Sequence, residues 1–262
     1  MENKVVLITG GALGIGKRTA VYLAEKGYHI VINYRNSRRE AEHLVERLRE
    51  LSGLEHVSVQ GDVANFADCK NIVDTAVRAF GKIDILIHNA GPYIRERKPA
   101  IEYSVEEWDY LIRGNLNSAF YLVKLILPYM RKQRWGRIVT FGYDRVETAP
   151  GWIYRSAFAA AKTGLASFTR TIALEEAENG ITANMVSPGD IKNEWKEKSI
   201  EDALRAGQQT EQGVREGTGE DIARLIAFLV DERSDFITGS IFSATGGVDV
   251  LGKVFRNQIK NE

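Results

Sequence analysis

Short runs of β-branched and other apolar residues alternate along this chain with longer amphipathic segments, and this alternation restricts the fold more than any other feature. The pattern predicts strands near residues 4–9, 29–34, 56–60, 84–88, 136–141, 181–186 and 240–244. Helices are predicted near residues 14–26, 37–52, 65–80, 104–132, 152–179 and 219–231. Repeated strand–helix–strand units form parallel sheets with helices on both faces. The sequence therefore predicts an α/β fold with a doubly wound parallel sheet of about seven strands.

The chain length of 262 residues fits one α/β domain, and neither a repeat nor a long linker divides it. We therefore expect a single domain over residues 1–262. The stretch from Ile191 to Gly219 is charged, contains Gly and Gln, and has a weak core pattern. We expect residues 191–219 to form a mobile flap over the functional site.

Charge and cysteine usage narrow the expected partners and location. Lys plus Arg and Asp plus Glu each number 35, so no overall field favours nucleic acid or an anionic membrane. Cys69 is the only cysteine, which excludes an internal disulfide and suits a reducing compartment. The first residues lack a secretory signal pattern, and the most apolar helical stretch, Ala119 to Met130, is too short to span a membrane. We expect a cytoplasmic protein with no nucleic-acid partner, no membrane partner and no metal site.

The first predicted strand runs directly into a glycine-rich segment at which a helix begins. Gly10 permits a tight turn, Gly14 lets the backbone approach a pyrophosphate, and Gly16 allows the helix to pack closely on the sheet. Leu13 and Ile15 complete this loop, and the helix N-terminus offers unpaired N–H groups to phosphates. An ordinary strand-to-helix turn is the alternative interpretation. The order of strand, glycines and helix favours a Rossmann-type dinucleotide site.

The end of the second predicted strand indicates which dinucleotide is bound. An acidic side chain there would bind the ribose 2′-hydroxyl of NAD, but this chain has no carboxylate before Glu40. Arg35 offers a planar fork to a 2′-phosphate, and Ser37 adds a donor. Arg38 is a further candidate, although it could instead belong to the solvated face of the following helix. The sequence therefore predicts NADP(H) as the preferred cofactor, with NAD(H) possible.

Seven markers recur in order and resemble those of the short-chain dehydrogenase/reductase family. They are Thr9-Gly10-x-x-x-Gly14-x-Gly16, Asp62-Val63, Asn89-Ala90-Gly91, Asn115, Lys162, Pro188-Gly189 and Gly246-Gly247. The resemblance implies that Asp62, with Val63, contacts the adenine and that the Asn89-Ala90-Gly91 run lines the cofactor cleft. It also implies that Pro188-Gly189 lies beside the nicotinamide and that the Lys162 ammonium binds the nicotinamide ribose.

Two catalytic positions depart from the family pattern. The family has a proton-transferring Tyr four residues before the Lys and a Ser at the end of the preceding central strand, where this chain has Phe158 and Tyr143. Lys162 and Asn115 match the family. Phenylalanine has no ionisable proton, and a positioned general acid contributes about 100- to 10,000-fold in rate. The family's carbonyl reduction therefore cannot be carried over without another proton donor.

Two tyrosines are candidates for that donor. Tyr143 could serve from the strand end, or it could merely fill space beside Phe158. Tyr154, Phe158 and Lys162 would share a helix face if the helix extends back to residue 154. Tyr154 could otherwise pack under the flap, and Asp144 is a minor alternative.

Three hypotheses about function follow. The leading one is an NADP(H)-dependent oxidoreductase, similar to 3-oxoacyl carrier-protein reductases, that acts on a carbonyl or enoyl group of a small-molecule or acyl-thioester substrate. The second is a regulatory protein or pseudoenzyme that binds NADP(H) without turnover. The third is a non-catalytic partner in a mixed oligomer. The resemblance also implies a homo-oligomer, most often a tetramer, built through the helices at 104–132 and 152–179.

Overall fold

Seven strands form one sheet in the computed structural model, which describes residues 3–207, 209–210 and 213–251. The strands are β1 (Val5–Ile8), β2 (His29–Tyr34), β3 (Val57–Gln60), β4 (Ile85–His88), β5 (Gly136–Phe141), β6 (Ile181–Pro188) and β7 (Ile241–Ala244). Their order across the sheet is β3-β2-β1-β4-β5-β6-β7, and every neighbouring pair is parallel. The predicted doubly wound parallel sheet is confirmed.

Eight α-helices in the described ranges cover the two faces of this sheet. They are α1 (Gly14–Ala24), α2 (Arg38–Ser52), α3 (Phe66–Phe80), α4 (Val105–Ile112), α5 (Ser118–Gln133), α6 (Ser156–Glu175), α7 (Ile200–Ala206) and α8 (Gly219–Val230). Apolar residues of α1, α2 and α8 form one buried cluster with the sheet, for example Ala20, Leu44 and Ile226. Residues of α3 and α5, such as Ile72 and Leu122, form the cluster on the opposite face. Because strand side chains alternate between these two clusters, β1 and β4 are apolar on both faces.

The order of the strands reverses between β1 and β4, which places the loops that follow these two strands side by side. The backbone N–H of Thr9 donates to the carbonyl of Ile87 at 3.1 Å, so the pairing of the strands continues into the loops. In open α/β sheets, ligands bind at the carboxyl ends of the strands where the order reverses. The glycine loop and the Asn89–Gly91 run therefore meet at the expected binding edge.

Two of the predicted helices differ from those in the structure. The helix expected over 104–132 contains a π-helical segment, Arg113–Asn117, between α4 and α5. The helix expected over 152–179 begins only at Ser156, because Tyr154 has a left-handed backbone (φ +63°) that cannot continue a helix. Tyr154 therefore does not lie on the helix face shared by Phe158 and Lys162.

The stretch predicted as a flap contains a short 3₁₀ helix, Asn193–Lys196, followed by α7. Trp195 packs against the buried cluster formed by α1 and α8. The mobility of this stretch and the single-domain division of the chain stay predictions. Among the residues that the structure describes, no helix is both long and apolar enough to cross a membrane.

Candidate cofactor and active site

The glycine loop between β1 and α1 has little room for any larger residue. Gly10 and Gly14 adopt left-handed backbones, with φ of +60° and +59°. A Cβ on Gly16 would lie 2.6 Å from the carbonyl oxygen of Gly10 and 2.7 Å from Nδ2 of Asn89. Such contacts are too short for real carbon atoms, so Gly16 is required for the close packing predicted for it. Leu13 is the exposed N-cap residue of α1, and Ile15 is partly buried in its first turn.

Asn89 and Ala90 tie the loop after β4 to this glycine loop. Nδ2 of Asn89 donates to the carbonyls of Thr9 and Gly10 at 2.9 and 3.1 Å. The backbone N–H of Ala90 donates to Oγ1 of Thr9 at 2.9 Å. The two loops therefore form one continuous backbone surface.

Gly91, Asn115 and Lys162 come together behind that surface. A Cβ on Gly91 would clash with Oδ1 of Asn115 and lie 3.4 Å from Nζ of Lys162. Nδ2 of Asn115 donates to the carbonyls of Pro92 and Leu111 at 3.0 and 2.9 Å, but its Oδ1 is buried with no partner in the described part of the chain. The π-helical segment is what places Asn115 in this position, as π-bulges often do at functional sites.

Lys162 is only 4% exposed, and its burial lowers the pKa of its ammonium group to about 8. Fully buried His88 lies nearby. Burial, and then the positive charge of Lys162, lowers the pKa of His88 to about 3. Its Nε2 is 2.8 Å from Oγ of Ser118. His88 is therefore a neutral group of the core.

Phe158 lies one helical turn before Lys162 on α6. Nζ of Lys162 is 5.7 Å from the centroid of the Phe158 ring. That ring packs edge-on against Tyr93 and Trp152, at centroid distances of 5.0 and 6.0 Å. Aromatic rings thus surround this side of Lys162, and Phe158 has no ionisable proton that it could donate.

The two candidate donors, Tyr143 and Tyr154, contact other parts of the chain. Tyr143 is 3% exposed, and its hydroxyl donates to the carbonyl of Pro150 at 3.1 Å and lies 3.2 Å from Oγ1 of Thr163. Burial raises the pKa of Tyr143. Tyr154 lies in the turn before α6, where its carbonyl accepts from the Tyr103 hydroxyl at 3.2 Å. A catalytic role for either residue stays a prediction.

The loops that follow β1, β2, β3 and β4 meet at a cavity at the carboxyl edge of the sheet. This cavity has a volume of about 310 Å³, and its walls include Gly10, Arg35, Asp62, Val63, Ala90 and Gly91. Nη1 of Arg35 is 3.5 Å from a carboxylate oxygen of Asp62. The residues predicted for the adenine and its ribose therefore share one cavity.

A second cavity, of about 710 Å³, lies between the predicted flap and the end of the sheet. It is lined by Gly189, Ile191, Lys192, Val214 and Gly246, among others. The backbone N–H of Gly189 donates to the carbonyl of Ala244 at 2.9 Å, and a Cβ there would lie 2.8 Å from Cα of Thr245. Gly189, just after Pro188, is therefore required for close packing of the chain beside this cavity.

Known proteins resemble this chain over nearly its whole length. A family model described as enoyl-(acyl carrier protein) reductase matches residues 10–249. YtkK of Bacillus subtilis, described provisionally as an oxidoreductase, is 50% identical over 253 residues, which cover 94% of this chain and 97% of that protein. The 3-oxoacyl-[acyl-carrier-protein] reductase FabG of Staphylococcus epidermidis is 34% identical over 248 residues, which cover 94% and 99%. A solved structure from Bacillus thuringiensis, described provisionally as a 3-oxoacyl-reductase, has a TM-score of 0.89 and 48% identity, covering 95% of this chain and 100% of that one.

The chain belongs to the short-chain dehydrogenase/reductase family. It is therefore a member of a family of NAD(P)-dependent oxidoreductases, as the sequence predicted. The match of Lys162 and Asn115 to the family's catalytic positions stays a prediction, as does the replacement of the family's tyrosine and serine by Phe158 and Tyr143.

The residues of this short-chain dehydrogenase/reductase fit the nicotinamide dinucleotide that the family implies. The Asn115 Oδ1 without a partner and the buried Lys162 ammonium offer polar groups beside Gly91. Helix α1 begins directly at the glycine loop, and its N-cap residue, Leu13, makes no side-chain capping hydrogen bond. Both features suit the ribose and the phosphates of a dinucleotide.

Three residues that contact this site were missed from the sequence. Glu197 accepts from the backbone N–H of Gly14 at 2.9 Å, although it lies 183 residues further along the chain. Arg155 donates through Nε to the hydroxyl of Tyr93 at 2.6 Å, and Tyr93 packs on Phe158. The only signal for Tyr93 was its position two residues after the Asn89–Gly91 run. Arg155 and Glu197 belong to stretches with no sequence pattern that marks them.

Proposed function

We propose that this chain is an NADP(H)-dependent oxidoreductase, similar to 3-oxoacyl reductases, that acts on the carbonyl or enoyl group of an acyl thioester or a related small molecule. The observation that supports this most directly is the buried cluster of Gly91, Asn115 and Lys162 at the binding edge of the sheet. Burying a cation is costly. A chain without any function at this site would therefore not be expected to keep the buried Lys162 there. The 3-oxoacyl reductase name of a relative with 34% identity adds the substrate class.

Each part of the cofactor has a proposed set of contacts. The N–H groups of Gly14 and Ile15, with the exposed backbone at Leu13, would bind the pyrophosphate. Asp62 and Val63 would hold the adenine, the run from Asn89 to Gly91 would line the cleft, and Pro188 and Gly189 would lie beside the nicotinamide. Lys162 would donate to the nicotinamide ribose. When bound, the nicotinamide supplies a hydride for reduction or accepts one for oxidation.

The preference for NADP(H) is proposed from Arg35 and Ser37. Arg35 is 49% exposed at its side chain and lines the cavity that contains Asp62, so its guanidinium can reach a ligand there. Ser37 is the N-cap residue of α2, but its side chain makes no capping hydrogen bond, which leaves its hydroxyl for a phosphate oxygen. A guanidinium binds phosphate in a planar, bidentate manner.

Phe158 and Tyr143 favour a second candidate, a regulatory protein or pseudoenzyme that binds NADP(H) without turnover. Phe158, one helical turn before Lys162, has no hydroxyl, and the Tyr143 hydroxyl already donates to Pro150. Cofactor binding needs neither group. A measurement of turnover separates the two candidates.

The test measures NADPH oxidation by the purified protein with acetoacetyl-CoA, crotonyl-CoA, simple ketones and quinones, in parallel with NADPH binding by fluorescence. We expect turnover of at least one thioester, and an Arg35→Ala variant that loses about 10-fold of its preference for NADPH over NADH, close to 1.4 kcal/mol. Lys162→Met, which removes the ammonium proposed to bind the nicotinamide ribose, is the control variant for loss of the cofactor site. A wild type that binds NADPH but shows no turnover, together with a Phe158→Tyr variant that gains it, would establish the pseudoenzyme instead.

We also propose that the chain forms a homo-oligomer in the cytoplasm. Val105, Trp108, Phe120 and Leu174 expose 42–81% of their surface on α4, α5 and α6. Large apolar side chains grouped on neighbouring helices support the homo-oligomer, a tetramer in the family pattern, that the sequence predicted. The single buried cysteine, Cys69, supports a reducing, cytoplasmic location.

A further inference from the structure

A tyrosine that was not among the predicted site residues lies directly against Phe158. The Tyr93 ring meets the Phe158 ring edge-on, with centroids 5.0 Å apart and planes at 88°. Phe158 in turn lies 5.7 Å from Nζ of Lys162. Tyr93 is 44% exposed, whereas Tyr143 is 3% exposed, so a substrate can reach the Tyr93 side chain.

Arg155 holds the hydroxyl of Tyr93 from the buried side. Nε of Arg155 donates to the Tyr93 oxygen at 2.6 Å, and the guanidinium carbon lies 5.0 Å from the centroid of the Tyr93 ring. The other guanidinium N–H groups donate to the main-chain carbonyls of Arg95, Glu96 and Tyr154 at 2.6–2.9 Å. All of these contacts leave the Tyr93 O–H without an acceptor among the described residues, so its proton stays available for donation.

Arg155 is also a buried cation without a carboxylate partner in the described ranges, and only 6% of it is exposed. A buried cation surrounded only by neutral carbonyls stabilises any negative charge that forms beside it. The group placed to acquire that charge is the Tyr93 oxygen, as its proton leaves. The pairing thus resembles a general acid whose conjugate base is stabilised in advance.

The backbone before Tyr93 is fixed relative to the lysine cluster. Nδ2 of Asn115 donates to the carbonyl of Pro92 at 3.0 Å. Gly114 has no room for a Cβ because the ring of Pro92 packs against it. Pro92, the residue before Tyr93, is therefore held by the same Asn115 that lies beside Gly91 and Lys162.

We propose that Tyr93 is the catalytic proton donor of this enzyme and that Arg155 is its positioning residue. In the reduction of a carbonyl substrate, the carbonyl carbon gains a hydride, the C=O π electrons move to the oxygen, and that oxygen takes the proton of Tyr93. The carbonyl is reduced to an alcohol, NADPH is oxidised to NADP⁺, and solvent returns a proton to the Tyr93 phenolate. The inference rests on the proposed function, because it needs a reducible substrate.

The first test compares Tyr93→Phe with Tyr103→Phe, which removes a different tyrosine hydroxyl whose partner is the carbonyl of Tyr154. With acetoacetyl-CoA and NADPH, we expect Tyr93→Phe to lower kcat by about 100-fold or more, while Tyr103→Phe stays within about 3-fold of the wild type. NADPH binding should be unchanged in both variants, which also shows that they fold.

A second readout does not depend on turnover. 3-Hydroxybutyryl-CoA bound to the protein loaded with NADPH forms a complex that cannot react, and its hydroxyl should meet Tyr93. We expect its affinity, measured by calorimetry, to fall about 5-fold in Tyr93→Phe, which is the loss of one hydrogen bond. The affinity should be unchanged in Tyr103→Phe.

The role of Arg155 is tested by separating kcat from KM. Arg155→Gln should lower kcat with little change in the KM for acetoacetyl-CoA, and Arg155→Lys, which keeps the charge, should restore part of kcat. A purely structural arginine would change the amount of folded protein and leave kcat per NADPH-binding site unchanged.

The outcomes separate this inference from the proposed function. If the wild type reduces the thioester and Tyr93→Phe retains its rate and its affinity for 3-hydroxybutyryl-CoA, Tyr93 is not the donor and the proposed function stands. If the wild type reduces none of the substrates, the proposed function fails and the assignment of Tyr93 fails with it.

Discussion

The buried ammonium of Lys162 titrates in an accessible pH range, because burial lowers its pKa to about 8. As pH rises through that value the lysine loses its charge, and with it a donor for the cofactor ribose. We predict that the affinity for NADPH weakens between about pH 7 and 9.5. Fluorescence titrations across this range test the prediction, and the 2′-phosphate does not interfere because it ionises near pH 6.

Lys162→Met provides the comparison for this prediction. The variant should bind NADPH more weakly than the wild type at about pH 7 and show a flat affinity above it. An equal slope in the two proteins would assign the pH dependence to another group.

His88 should make the protein sensitive to acid. Burial first, and the charge of Lys162 second, lower the pKa of His88 to about 3, so the folded protein keeps its imidazole neutral while the unfolded chain binds a proton below about pH 6.5. The free energy of unfolding therefore falls as pH falls through this window, and we predict a share of about 3 kcal/mol for His88 at pH 4.5. His88→Asn should remove this pH-dependent part of the free energy of unfolding, which urea unfolding curves measure. His43→Asn, at an exposed position on α2, should leave it unchanged.

At the scale of elements, the 3₁₀ helix Asn193–Lys196 holds the predicted flap against the start of α1 through the next residue, Glu197. The Glu197 carboxylate accepts from the Gly14 N–H at 2.9 Å and from Nζ of Lys17 at 2.6 Å. Burial alone would raise the pKa of this carboxyl, but Lys17 and the Gly14 N–H more than offset burial and lower it. A carboxylate therefore occupies the helix N-terminus at which the cofactor phosphates are proposed to bind.

We predict that Glu197→Gln binds NADPH about 5-fold more tightly, because a negative charge is removed from beside the phosphate site. Glu194→Gln, at an exposed position in the same 3₁₀ helix, is the matched control and should bind as the wild type does. Weaker binding by Glu197→Gln would show that the carboxylate helps to close the site by holding Lys17.

The helix boundaries show where local sequence stops determining structure. Most strands were predicted closely because they are short, largely apolar runs buried on both faces, as in β1 and β4. The π-helical segment at Arg113–Asn117 could not be predicted, because its residues are compatible with an α-helix and the hydrogen bond from Asn115 to Pro92 crosses between segments. The late start of α6 has a similar origin, since the side chain of Arg155 bonds to carbonyls about 60 residues earlier in the chain.

At the scale of the whole molecule, the candidate site contains residues in local sequence patterns and residues placed by contacts between distant segments. This difference explains which of them the sequence predicted. Lys162, Asn115 and the glycine loop carry residue types at fixed spacings, so the sequence alone located them. The contacts of Glu197 with Gly14 and of Arg155 with Tyr93 join segments 183 and 62 residues apart. Only the order of the strands brings those segments to one edge of the sheet, and no local pattern encodes such a pair.

The outer surface of α5 leads to a prediction about assembly. Phe120 is 50% exposed, and its ring lies 6.3 Å from that of Phe168 on α6, so an apolar patch spans the two helices. Apolar surface costs about 25 cal/mol per Å² when left in water, which favours burial against a second copy of the chain. We predict a tetramer for the wild type and a shift of Phe120→Lys to smaller species in sedimentation velocity. Leu51→Lys, at a 45% exposed apolar position on α2, should stay tetrameric, whereas a monomeric wild type would contradict the assembly proposed for these helices.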